Sequence, residues 1–384
     1  MGTDKTKRGD LKFAVSQRFL PHYRLDFYEL LTKELTSDGV RLKLFYGYPL
    51  GPVPERAYAK RIGGIRFHFR LGELEDTAVF SPWLFLHLLR FRPDGMIVED
   101  LSGLPNSLVA ATYCRLFKKP YFIWGLGNVP GKKRSRLRKL LSGPINFLYS
   151  GASGFICYSQ YAQGIYASWG KPTFLAPNAC LAPPSPPQIA RITELIRQKY
   201  LWRPMAIITI GELKKQKRFD ALIIAFSKIR HLDSVLHIIG DGPEMQALRS
   251  LAKEHHVYDR IHFHGAIFDK AKKQEILSQS GLGVLPGRGG LVIQELMHCG
   301  VPVISGAADG TERDNIVNEH NGYLLEDSSD ITAISNAIDK FFSLPDIDQI
   351  RMAEHALAQV VSRYNIQSMA HGVMDAVCSA LKKN

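Results

Sequence analysis

Cysteine is scarce. The 384 residues hold five, Cys114, Cys157, Cys180, Cys299 and Cys378, odd in number and none in a C-x-x-C pair. That spacing argues against a disulfide framework or a zinc site as the organising device. A reducing cytoplasm fits such usage. Long apolar runs are missing too: no stretch reaches the roughly eighteen residues that span a bilayer. The opening MGTDKTKRGD is polar and lacks the apolar core of a secretory signal, so a cytoplasmic location is expected. Acidic residues are short in one half only. Residues 1–185 carry 26 Lys+Arg against 13 Asp+Glu, and the remainder carries 23 of each. The whole net charge of +13 therefore sits in the first half. Such asymmetry points that half toward a polyanion or an anionic membrane surface.

The sharpest basic cluster is Lys132, Lys133, Arg134, Arg136, Arg138 and Lys139, with Leu137, Leu140 and Leu141 interleaved. It reads as an amphipathic helix lying on anionic headgroups. It reads equally as a solvated helix face. No aromatic-basic module for nucleic acid is recognisable, so no nucleic-acid partner is expected.

What is present is alternation. Short apolar runs, among them Leu11–Ser16, Gly95–Asp100, Pro120–Gly125, Met205–Gly211, Val235–Asp241 and Leu282–Pro286, are separated by amphipathic stretches. Near-continuous apolar strands between helices mean parallel sheets covered on both faces. The length suits two domains. The proline-rich segment Leu181–Gln188 reads as a stiff linker between them. The expected division is 1–185, 186–348 and a helical segment 349–384 that packs back toward the first domain. That tail reads as one helical pattern, Gln349–Leu381.

Four glycine-bearing turns follow strands of the second half. They are Gly211-Glu212 with Lys217 beyond it, Gly240-Asp-Gly242-Pro243-Glu244, Phe263-His264-Gly265, and Pro286-Gly287-Arg288-Gly289-Gly290-Leu291. Glycine lets backbone N–H groups approach a phosphate, and the following helix offers its positive end. Lysine adds a point charge. In such sheets ligands bind at the carboxyl ends of the strands.

With these turns, the segment from Gly290 through Glu295 to Val303, and Asn321-Gly322, the second half resembles the nucleotide-binding domain of family 4 glycosyltransferases. The stretch Pro286–Gly310, followed by Thr311 and Glu312, is similar to a subgroup from bacterial polysaccharide clusters. The resemblance implies the GT-B fold: two doubly wound, Rossmann-like α/β domains with a cleft between them. It also implies a retaining hexosyltransferase that needs no metal or cofactor.

Position by position, the resemblance implies that Lys217 binds the donor diphosphate and that Glu295 accepts hydrogen bonds from the ribose. The backbone at Gly289, Gly290 and Leu291 would hold diphosphate or sugar, and Phe263 and His264 would flank the base. Gly211, Glu212, Gly240, Gly242 and Gly287 complete the donor set. Each has a plainer alternative. Glu295 reads also as a helix-surface carboxylate, Lys217 as one of a solvated basic run, and His264 as a satisfied strand-end histidine. Three positions depart from the family's pattern. Gly287 stands where the first glutamate of E-x7-E falls, Glu212 where arginine is common, and Leu126 where a histidine usually meets the sugar. Arg288 is the neighbour that can compensate.

In the first half, Arg18, His22 and Arg24 follow the first strand and suit the phosphates of a lipid-diphosphate acceptor. They suit equally a capped turn into a helix. Gly127 and Asn128 are placed with the acceptor. Glu99 and Asp100 end a strand at a ligand edge, and Asp100 is the expected catalytic carboxylate beside Lys217, Arg288 and Glu295. A helix cap is the competing role. The expected reaction moves a sugar from a nucleoside diphosphate, UDP favoured, to a lipid-linked saccharide at the inner membrane face. A nucleotide-sugar epimerase of the same fold and a non-catalytic sugar-nucleotide-binding protein are the competing readings.

Overall fold

The computed structural model describes residues 11–71, 74–127, 142–201, 205–306, 310–327 and 329–381. Lys132, Lys133, Arg134, Arg136, Arg138, Lys139 and Asn128 lie outside the described residues. The chain forms two units, one of residues up to Cys180 together with those from Ile366 onward, the other Leu181–Asn365.

Unit 1 holds a seven-stranded parallel sheet. Its strands are β1 Leu11–Pro21, β2 Val40–Leu50, β3 Ala59–Arg61, β6 Gly95–Glu99, β7 Tyr121–Gly125, β8 Gly154–Cys157 and β9 Thr173–Leu175, in the order β3-β2-β1-β6-β7-β8-β9. Two further strands, β4 Ile65–Leu71 and β5 Leu74–Phe80, pair antiparallel as a separate hairpin. β7 and β8 are buried along their whole length, as strands covered on both faces must be.

Unit 2 holds a six-stranded parallel sheet: β10 Ala206–Ile210, β11 Val235–Ile239, β12 Ile261–Gly265, β13 Leu282–Leu285, β14 Val303–Gly306 and β15 Gly322–Leu325. The order is β12-β11-β10-β13-β14-β15. This is the doubly wound arrangement, and its switch point lies between β10 and β13. In unit 1 the equivalent point lies between β1 and β6.

Both expected boundaries move. The prolines at 186 and 187 open a helix, Pro186–Leu201, rather than only a linker. Proline suits a first turn because its missing N–H would have no helical partner there. The Gln188 side chain reaches back to accept the Ser185 N–H at 2.8 Å, which closes the start of the helix. The tail is two helices, Asp346–Ser362 and Ile366–Leu381, rather than one. Asn365 makes the break: its amide donates to the carbonyls of Val360 and Val361 at 3.2 and 2.8 Å, ending the first helix. The first tail helix packs on Pro186–Leu201 inside unit 2, and only the second joins unit 1. That last helix buries Ile366, Met369, Ala370, Val373, Ala376, Val377 and Ala380, a stripe at helical spacing, against the core of Phe13, Phe27 and Leu31. Among the described residues no helix is long and apolar enough to cross a membrane.

Arg24 ties this helix to the rest of unit 1. It is buried, 9% exposed, and its guanidinium donates to Ala179 O at 2.7 Å, to Met369 Sδ at 2.9 Å and to Asn178 Oδ1. The placement of Arg24 with the acceptor is therefore corrected: its donors face protein acceptors. Arg24→Ala should lose roughly 2–3 kcal/mol of stability, seen as a lower thermal midpoint, because those acceptors are left without a charged donor.

Candidate functional site

The carboxyl edge of the unit 2 sheet is knit by backbone contacts between its turns. Gly211 N–H donates to Ile239 O at 3.0 Å, Leu213 N–H to Asp241 O at 2.9 Å and Gly240 N–H to Gly265 O at 2.8 Å. A Cβ at Gly240 would collide with Gly211 O, and its φ of 148° disfavours any side chain. Gly240 and Gly242 thus hold the Gly211–Lys217 loop in place.

The same logic explains Gly287. Its N–H donates to Lys217 O at 3.2 Å, so the loops after β10 and β13 touch at the switch point. A Cβ at 287 would lie 2.8 Å from Lys217 Cα and closer still to Gln216 O. A glutamate cannot stand there while the loops are in contact. Across the contact, Lys217 Nζ donates to Arg288 O at 2.5 Å, and the Arg288 side chain is exposed. Gly289 is buried over Ile293, and Gly290, at φ 56°, precedes the helix Leu291–His298. Lys217, Arg288 and the start of that helix therefore stand together at the switch point.

The remaining donor residues divide. Glu295 is half-buried on the helix Leu291–His298 and is ion-paired with Lys273 at 2.5 Å, a partner that sequence distance concealed. Glu212 pairs with Lys214 at 2.9 Å on the surface. Phe263 and His264 are consecutive in β12, so they point to opposite faces and do not act as a pair. Phe263 packs under Arg249, 5.0 Å from its ring, and beside Tyr258. His264 joins His237 and His262 in a stack, with His237 Nδ1 and His264 Nε2 2.9 Å apart. Glu312 and Thr311 are buried in the short helix Thr311–Asn315.

In unit 1 the two strand-end carboxylates differ. Asp100 is buried and accepts from the hydroxyl of Tyr166 at 2.6 Å and from that of Tyr149. It caps no helix. The catalytic expectation for Asp100 is corrected, because its carboxylate organises two core tyrosines. Burial and then the Asp100 charge push the Tyr166 hydroxyl pKa well up, which keeps it a proton donor. Gly127 N–H in turn donates to Tyr166 Oη at 3.1 Å. Glu99 lies at the switch point, accepts the Arg18 N–H at 2.7 Å and stands 3.6 Å from Arg18 Nε. Arg18 also donates to Thr77 O at 2.6 Å. His22 is exposed, with Nδ1 3.3 Å from Leu50 O. Among the described residues no group of three or more His, Cys, Asp or Glu side chains is arranged to hold a metal ion.

Known proteins match this arrangement. Residues 193–358 match the family described as glycosyl transferases group 1. The N-acetyl-alpha-D-glucosaminyl L-malate synthase of Bacillus anthracis is 31% identical over 167 residues, which is 42% of this chain and 42% of that protein. A GDP-mannose-dependent alpha-(1-6)-phosphatidylinositol monomannoside mannosyltransferase of Mycolicibacterium smegmatis is 29% identical over 156 residues, 37% of this chain and 40% of that one. The match thus spans about two-fifths of each relative. Among solved structures, Anabaena HepE in complex with UDP superposes with a TM-score of 0.66 at 16% identity, covering 96% of this chain and 100% of that chain. Sucrose-phosphate synthase from Thermosynechococcus elongatus gives 0.69 at 15% identity, over 97% and 100%. The fold is therefore GT-B, two parallel-sheet α/β domains. The match to glycosyl transferases group 1 lies within the second unit.

Gly287→Glu, which restores the usual motif residue, should destabilise the protein by about 3 kcal/mol in thermal denaturation, since the side chain has no space. A pH effect should come from His237. Burial first, then the charges of His264 and His262, lower its pKa from 6.5 to about 4. Between those values the unfolded chain takes up a proton that the folded imidazole refuses. Stability is fully present above pH 6.5 and declines as pH falls toward 4. The urea midpoint should drop across that window, and His237→Asn should flatten the drop.

Proposed function

We propose that the protein transfers a hexose from a nucleoside-diphosphate sugar to a lipid-linked saccharide in surface-polysaccharide assembly. The observation that carries this reading is the pairing of Lys217 and Arg288 beside the helix start at Gly290–Leu291, at the switch point of a group 1 domain. The bond from sugar to diphosphate is already activated. What the protein must add is stabilisation of the charge that grows on the leaving diphosphate. Lys217, Arg288 and the N–H groups of the helix start supply it in this reading, with no metal required. Glu295 accepts from the ribose hydroxyls, with Lys273 holding the carboxylate in place.

The acceptor is met by unit 1, through Arg18, His22, Gly127 and Asn128. Its hydroxyl oxygen forms the new bond to the anomeric carbon on the face from which the diphosphate departs. Attack on that face retains the configuration, and the leaving phosphate takes the hydroxyl proton. UDP is the favoured nucleotide, supported by structures of HepE with UDP and with UDP-glucose. The relatives that act on L-malate and on a phosphatidylinositol monomannoside support transfer to a small or lipid-borne acceptor. The basic first half suits work at the inner face of the cell membrane.

Calorimetry with UDP, GDP, ADP and their sugars checks the donor site. One nucleotide should bind the wild type, and Lys217→Ala and Glu295→Ala should each weaken it at least about tenfold, roughly 1.4 kcal/mol. Affinity unchanged in both variants would remove the reading.

A further inference from the structure

The helix Leu84–Phe91 is two-faced in an unusual way. Leu84 and Leu88 enter the core of unit 1. Outward stand Trp83, Leu86 and Leu89, which are 62%, 51% and 38% exposed. Residues three apart fall on one side of a helix, so these form a stripe. With His87 and Arg90 they line a hollow of about 460 Å³. The next helix, Leu104–Leu116, packs alongside. The rings of Phe85, Tyr113 and Phe117 form a chain with centroid distances of 5.9 and 4.7 Å. Leu116 and Phe117, 65% and 47% exposed, add exposed apolar side chains at that helix's end.

The charge that neighbours this surface along the chain is mostly basic. Arg90 lines the hollow, and Arg92 and Lys118, just beyond the ends of the two helices, are exposed. Asp94 is the nearest acid in sequence, and it is paired with Lys119 at 2.9 Å. No acidic residue occurs between Asp100 and Glu194. A contiguous apolar surface rimmed by charge marks an interaction site, whereas scattered exposed leucines mark nothing. Tryptophan and leucine beside arginine and lysine suit the boundary between acyl chains and anionic headgroups, where the rings bury and the cations reach phosphate.

We propose that the Trp83–Leu86–Leu89 face, with its Arg90, Arg92 and Lys118 rim, inserts shallowly into an anionic bilayer. This surface shares no residue with the basic run at 132–139. The helix has eight residues, so it lies in the interface and does not cross it. The proposal rests on the reading of unit 1 as the lipid-facing part, and its test is kept separate from the donor site.

The full chain is sedimented with vesicles of phosphatidylcholine, alone or mixed with phosphatidylglycerol, while tryptophan emission is recorded. Wild type should bind the mixed vesicles with a blue shift and ignore the neutral ones. The triple variant Trp83→Ser, Leu86→Ser, Leu89→Ser should lose at least about tenfold in partition. Trp83→Phe should keep the binding and lose the blue shift. Reversing Arg90, Arg92 and Lys118 to glutamate should abolish the preference for the anionic lipid. The idea is overturned if the triple variant binds like wild type, or if wild type ignores anionic vesicles. It is overturned too if the triple substitution instead converts a wild-type dimer to a monomer, which would make the face a contact with a second copy. Nucleotide affinity separates the two readings. If the triple variant keeps it, its lost binding is a loss of lipid contact. Wild type that binds vesicles but no nucleotide would sink the glycosyl-transfer reading and leave this surface standing.

Discussion

One backbone contact joins the two loops that flank the switch point of the second sheet: the amide of Gly287 on the carbonyl of Lys217. By itself such a bond contributes only about 1 kcal/mol. Its importance is positional. It draws the loop after β10 against the loop after β13, and it leaves room for nothing larger than hydrogen at 287. With the loops joined, Lys217 reaches the Arg288 carbonyl and both side chains stand by the start of the helix Leu291–His298. The glycines at 240 and 242 extend the same device outward, each trading a side chain for close approach of two turns. The anion site proposed there would depend on main-chain geometry more than on side-chain chemistry, which suits a ligand whose recognised part is a diphosphate.

The first unit uses its polar groups differently. Asp100, Tyr149, Tyr166 and the Gly127 amide form one chain of hydrogen bonds inside the sheet's covering layer. Arg24 forms another, toward Met369 and the exit of β9. Both are buried charges held by several partners, the condition under which a protein tolerates a charge away from water. Glu99, one residue before Asp100, stays at the edge with Arg18. Neighbouring carboxylates thus divide the work, one rigidifying the interior and one left at the surface of the switch point.

Much of this was legible in the residues and some was not. Most strands of both sheets could be read because parallel strands are apolar on both faces, so β7 appears as a short unbroken run, whereas the edge strands β3 and β15 went unread. The four glycine turns could be read for the same reason that they exist, since close approach demands glycine. The hairpin β4–β5 went unread although Ile65-Arg-Phe-His-Phe-Arg-Leu71 alternates strictly; it lies outside the main sheet, where the strand-helix rhythm gives no cue. The tail break at Asn365 turns on one side chain folding back onto carbonyls, which no periodicity announces. Asp100 and Glu99 could not be told apart because their difference is two tyrosines, 49 and 66 residues further along. Glu295 hid its lysine for the same reason.

The chain leaves unit 1 after Cys180 and returns to it at Ile366. The helix that returns supplies Met369, Val373 and Val377 to the same core that holds Phe13 and Phe27. Unit 2 is contiguous by contrast. Made from one end on a ribosome, the first unit begun would be the last one finished. Until residues 366–381 emerge, one flank of its sheet waits uncovered and Arg24 lacks Met369. Domains generally fold as units during synthesis. Here that rule runs backward along the message, and the nascent first half must persist incomplete while the second assembles.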